Sequence, residues 1–154
     1  MPLSLISEAI VPQHLKPYLE ATDKPSVIRE LLEILDRAGV LSDSQAATQV
    51  VLERESCMST GLEHGIAIPH GKTDTVDRLL VAVALKPEGV DFDSADGAPS
   101  RIFILTLSPA SRSGPHIRFL AEISRLLQDD KQRQRLLSCA TPEAMAAVLA
   151  RKIP

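Results

Sequence analysis

The sequence predicts a layered α/β domain, and three observations carry that reading. Residues 79–85, LLVAVAL, and 102–107, IFILTL, are continuous apolar runs of strand length. A strand that is apolar on both faces is one covered on both sides of a sheet. Residues 24–38 place apolar side chains at helical spacing ahead of these strands, and helical spacing returns after residue 115. Helices, then strands, then helices fit two or three layers packed around a common sheet. A length of 154 residues matches one domain, so residues 1–154 read as a single unit.

In chain order, the first twenty residues hold Pro2, Pro12 and Pro17, which predicts an irregular entry or a short strand. The first helix spans Lys24 to Ala38, with Val27, Ile28, Leu31, Leu32 and Leu35 on its apolar face. Asp23 is its expected N-cap, Pro25 sits in the first turn, and Gly39 offers a left-handed stop. A second helix is expected from Ser42 to about Arg54, with Ser42 and Gln45 as a capping box. Ala46, Ala47, Val50 and Val51 form its buried face. Gly61, Gly65, Pro69 and Gly71 punctuate the segment 56–74. Within it Ile66 to Ile68 read as a brief strand, and Ile68 is extended because a proline follows it. Residues 86–100, KPEGVDFDSADGAPS, read as a turn-rich connector between the two apolar strands. The next helix is expected to bury Ile117, Leu120, Ala121, Ile123, Ser124 and Leu127. A shorter helix covers Lys131 to Leu137. The last starts at Thr141, with Pro142 at its first position, and reaches Ala150.

Composition narrows the function. A formal net charge of −3 gives no global field toward nucleic acid or anionic lipid. With no Trp, one Tyr and three Phe, the chain lacks the stacking platforms of single-strand binders. No run reaches the roughly 18 apolar residues of a membrane span, and the N-terminus lacks a basic stretch followed by an apolar one. The expectation is a cytoplasmic protein with no direct membrane insertion and no nucleic-acid partner. Its two cysteines, Cys57 and Cys139, are too sparse for a disulfide scaffold and read as reduced thiols.

Four histidines, His14, His64, His70 and His116, are the candidates for chemistry. His70 lies between Pro69, which fixes the backbone, and Gly71, which permits positive φ or close approach. An imidazole presented there suits a nucleophile, a general base or a metal ligand. His116 opens a helix after Ser113-Gly114-Pro115, where backbone N–H groups favour anions. Arg54 and Lys72 are cations flanking the segment, suited to neutralising a phosphoryl group, although Lys72 reads better as a solvated surface charge. The spacing of His64 and His70 matches no common metal site, and neither cysteine has a C-x2-C partner. Cys57 as a nucleophile with His70 as its base lacks a local signature. The glycines form neither a P-loop nor a dinucleotide fingerprint. Read from residues alone, the chain is a small α/β domain with a reactive histidine in a glycine-rich turn and a candidate anion site. No reaction follows from that.

Residues 59–72, STGLEHGIAIPHGK, resemble the active-site segment of the enzyme IIA family of the sugar phosphotransferase system, fructose/mannitol type. They look closest to its nitrogen-regulatory branch. The pattern G-[IL]-x-x-G-[IV]-A-[IL]-P-H-[GA] is long and specific, and the order of elements along nearly the whole chain agrees. The resemblance implies a mixed β-sheet flanked by helices on both sides. It implies that His70 carries a phosphoryl group received from a phosphorylated HPr or HPr-like protein. His116 then hydrogen-bonds the site and Arg54 assists, with no cofactor and no metal. The onward partner is a regulated target protein in nitrogen signalling, or a IIB domain whose cysteine receives the phosphate in sugar uptake. A third alternative keeps the fold as a binding module that is never phosphorylated. Two features depart from the family pattern: the Ser-Arg-Ser-Gly-Pro run before His116, and His64, which stands where the regulatory branch often has Asn and reads as a bystander.

Overall fold

The computed structural model describes residues 5–150. The elements are α1 (Leu5–Ala9), a 3-10 turn (Pro12–His14), β1 (Leu15–Lys16), α2 (Lys24–Arg37) and α3 (Ser44–Cys57). Then follow β2 (Ile66–Ala67), β3 (His70–Lys72), β4 (Leu80–Val90), β5 (Ser100–Ser108), α4 (Gly114–Leu127), α5 (Asp130–Leu137) and α6 (Pro142–Leu149).

The sheet is mixed. β4 and β5 pair antiparallel at its centre, from Leu80 opposite Leu107 to Leu85 opposite Ile102. β1 lies parallel to β4 on one side. On the other side β2 and β3 succeed one another along β5, both parallel to it. They share that edge because Pro69, between them, has no N–H to give to a ladder.

Two apolar layers cover the sheet, as the continuous runs require. Ala82, Ala84, Phe103, Leu105 and Leu107 pack with Val27, Leu31 and Leu35 of α2 and Val51 of α3. The alternate residues Val81, Val83, Leu85, Ile102 and Ile104 pack with Phe119 and Ile123 of α4, Leu136 of α5 and Met145 of α6. Period-two alternation thus assigns each strand residue to one layer. The expected mixed sheet between helices is what the chain forms. Among the described residues, no helix is long and apolar enough to cross a membrane.

Several local expectations hold. The Asp23 carboxylate accepts from the Ser26 N–H, Thr141 caps α6 through the Ala144 N–H, and Gly39 takes φ +77°. Others are corrected. The second helix is capped by Asp43, which accepts from the Ala46 N–H, while the Ser42 hydroxyl donates to the Thr75 carbonyl instead. The turn-rich connector starts later than expected, because β4 continues to Val90 through an irregularity after Leu85. Gly89 makes this passage at φ +88°, where a Cβ would stand 2.7 Å from that of Pro99. The entry segment holds α1 as well as the short strand. The buried stripe of α4 is His116, Phe119, Ile123 and Leu127, so Ile117, at 64% exposure, faces outward. Anchoring the helical period on Ile117 rotates the face by one residue. Phe119 is the side chain that owns the core.

Candidate active site

The geometry starts with the Ile68-Pro69 step. The Ile68 N–H donates to the Thr60 carbonyl at 3.1 Å, and the Pro69 carbonyl accepts from the Thr106 N–H at 3.1 Å. The backbone is therefore held from both sides as it delivers His70 to the start of β3, opposite Thr106. Gly71 follows, buried and opposite Leu107. A Cβ on Gly71 would lie 2.8 Å from Val50 Cγ1 and 3.1 Å from Val51 Cγ2. Of the two roles open to this glycine, close approach is the real one: it lets α3 lie directly on β3. Strand alternation then sends His70 and Lys72 to the opposite face from Gly71.

The half-buried His70 ring is oriented by its own backbone. Nδ1 lies 3.0 Å from the Ile68 carbonyl oxygen. A carbonyl only accepts, so the neutral ring carries its proton on Nδ1 and leaves the Nε2 lone pair free.

His116 arrives from α4. It is 8% exposed, and its ring centroid stands 5.3 Å from that of His70, with the planes tilted by 40°. Burial is the main influence pushing its pKa below the usual imidazole value, followed by the repulsion that protonation would meet from the neighbouring His70 ring and from Lys72. The ring is therefore neutral at pH 7. Its Nε2 is buried with no hydrogen-bond partner among the described residues, an arrangement that costs about 1–3 kcal/mol unless a further group meets it. Ser113, the N-cap of α4, makes no side-chain bond to the helix. Its hydroxyl instead accepts from Lys72 Nζ at 3.2 Å.

The sequence candidates thus separate. His70 and His116 come together, and Lys72, read as a solvated surface charge, is tied to the segment that carries His116. Arg54 lies in the last turn of α3, where its guanidinium donates to the Met58 carbonyl at 3.1 Å. It makes no hydrogen bond to either histidine among the described residues. His64 is exposed in a turn at φ +64°. Cys57 and Cys139 are free thiols. Among the described residues no group of three His, Cys, Asp or Glu is gathered as metal ligands.

One supporting residue escaped the sequence reading. Glu55 is buried, accepts from both the N–H and the hydroxyl of Thr60, and pairs with Lys24 at 2.8 Å. Thr60 in turn holds the Ile68 N–H, so this carboxylate anchors the loop that aims His70. The signal was available: Ala47, Val51 and Glu55 fall on one helical stripe, and a carboxylate on a buried stripe needs partners.

The description of the phosphoenolpyruvate-dependent sugar phosphotransferase system EIIA 2 family matches residues 10–152. The chain belongs to that family. As a type-2 EIIA it is a phosphotransferase-system component, as the active-site segment implied. It is 34% identical, over 94% of its length, to the fructose-specific EIIABC component of Bacillus subtilis, of which it spans only 23%. It is 38% identical to the fructose-specific EIIA component of Haloferax volcanii, with 82% of each chain covered. In structure it is similar to the nitrogen regulatory protein IIA-Ntr of Neisseria meningitidis, with a TM-score of 0.86 and 29% identity. That match covers 95% of this chain and 99% of the other. Regulatory and sugar-specific EIIA proteins therefore both stand among its relatives.

Proposed function

We propose that this EIIA accepts a phosphoryl group on Nε2 of His70 from a phosphorylated HPr-like protein and serves nitrogen-regulatory signalling. The observation that carries the acceptor role is the Nδ1 contact to the Ile68 carbonyl, which leaves Nε2 as the nucleophile beside a second, neutral imidazole. In the transfer, the Nε2 lone pair forms the new N–P bond as the donor's N–P bond breaks. The donor imidazole leaves with the bonding electron pair. His116 Nε2 is the atom suited to donate to a phosphoryl oxygen, and Lys72 adds positive charge on the same side. Arg54 serves by turning from the Met58 carbonyl toward the phosphoryl group. Residues 1–154 act as one cytoplasmic unit, with no metal or nucleotide taking part.

The match to IIA-Ntr along almost the whole of both chains favours the regulatory role. The 38% identity to a fructose-specific EIIA supports a second reading, in which the phosphoryl group passes to a IIB cysteine. Charging the protein with phosphoenolpyruvate, enzyme I and HPr, then adding a fructose-type IIB domain, tests both. Uptake without discharge to IIB supports regulation. Rapid discharge to IIB supports transport. Absence of uptake from demonstrably phosphorylated HPr and from a phosphorylated dedicated HPr paralogue contradicts the acceptor role.

A further inference from the structure

A cavity of about 600 Å³ is lined by neither His70 nor His116, and five parts of the chain form its walls. Its walls come from the end of α1, the 3-10 turn, the chain after α2, the start of β4 and the segment after β5. The size is that of a small-molecule site.

The lining sorts by chemistry. Val11, Val40 and Leu80 give an apolar floor, while Arg78 and Arg112 bring two guanidinium groups and Glu8 a single carboxylate. His14 also lines the space. It is 8% exposed, and its Nδ1 donates to the Val81 carbonyl at 3.1 Å, so the neutral ring offers Nε2 as an acceptor. Burial is the chief cause of a lowered His14 pKa, with Arg78 adding to it, which keeps the ring neutral at pH 7. The Ser111–Pro115 run leads into α4. It supplies both Arg112 and Pro115 to the wall, and nothing in the phosphoryl-transfer chemistry uses that arginine.

We infer that this cavity binds a small organic anion, its carboxylate or phosphate head held by Arg78 and Arg112 and a hydroxyl of its body donated to His14. Arg78 also pairs with Asp77, but at 3.6 Å and with both side chains largely exposed, so within the lining two guanidiniums stand against the Glu8 carboxylate; planar guanidinium forks suit carboxylate and phosphate alike. The apolar floor takes the carbon body. Pro115 immediately precedes His116, so an occupant rests against the segment that holds the second histidine. The site stands whether or not His70 is phosphorylated.

Titration of the ¹⁵N-labelled full chain with 4-hydroxybutyrate and, separately, with glycerol 3-phosphate tests the inference and distinguishes the two head groups. Saturable amide shifts at Arg78, Leu79, Ala110 and Arg112, with a Kd at or below about 1 mM, are expected with at least one probe. The Arg78→Gln/Arg112→Gln double variant, with its thermal midpoint unchanged, is expected to bind at least about tenfold more weakly. Three results would overturn the site: no saturable shift with either probe up to about 10 mM, shifts confined to His70, Lys72 and Ser113, or equal affinity in the double variant.

Discussion

His116 Nε2 lies buried without a hydrogen-bond partner among the described residues, while its ring stands 5.3 Å from that of His70 between centroids. An unpaired buried nitrogen beside a ring with a free lone pair has one economical use, which is to meet the group that the neighbour acquires. His116→Ala should therefore slow phosphoryl uptake by about a hundredfold, the typical cost of losing one positioned donor. Acceptance itself should remain. Rapid-quench transfer from phosphorylated HPr measures the rate, and an unchanged rate places His116 outside the chemistry.

Gly71→Ala tests the packing that seats β3. The new methyl would meet Val50 Cγ1 at 2.8 Å, and neither a β-branched side chain nor the strand yields readily. A loss of about 1–3 kcal/mol is expected, read from the urea midpoint. Adding Val50→Ala should restore part of it. Full stability in the single variant would contradict the close approach of α3.

Glu55→Ala should cost about 2–3 kcal/mol, because it leaves the Thr60 N–H and hydroxyl without their buried acceptor and Lys24 with only the exposed Asp93. Glu55→Gln keeps an acceptor for Thr60 and should cost less, about 1 kcal/mol. Equal losses in the two variants, measured by chemical denaturation, would show that Thr60 is not held in the way described.

Acidification should weaken the fold. His14 and His116 both have pKa values lowered by burial in the folded chain, so the unfolded chain binds more protons near their ordinary value of about 6.5. The stability they contribute is fully present above that value and is lost as pH falls through the lower folded-state values. The urea midpoint should fall from pH 7.5 to pH 5.5, and the double variant His14→Asn/His116→Gln should flatten this dependence. A wild-type midpoint constant over that interval contradicts the burial of both rings.

What the sequence made legible divides along physical lines. The two apolar runs marked β4 and β5 because a strand covered on both faces has a near-unique signature, and Asp23 and Thr141 marked helix starts because capping is local. His70 stood out through Pro69 and Gly71. The resemblance of residues 59–72 then supplied a family that the composition never names. The cap at Asp43 was hidden because Ser42 offers an equally good local signal, and only the Thr75 carbonyl decides between them. The rotated face of α4 was hidden because Ile117 is as apolar as a core residue. The pairing of Lys72 with Ser113 and the anchoring of Thr60 by Glu55 link distant elements or turns, so no local pattern reports them.

The central claim is that His70 is the phosphoryl acceptor. Intact-mass measurement of wild type and His70→Ala, after incubation with phosphoenolpyruvate, enzyme I and HPr, tests it most directly. One acid-labile, base-stable phosphoryl group on the wild type and none on a folded His70→Ala variant is the predicted result. Retention of that phosphoryl group by His70→Ala would contradict it.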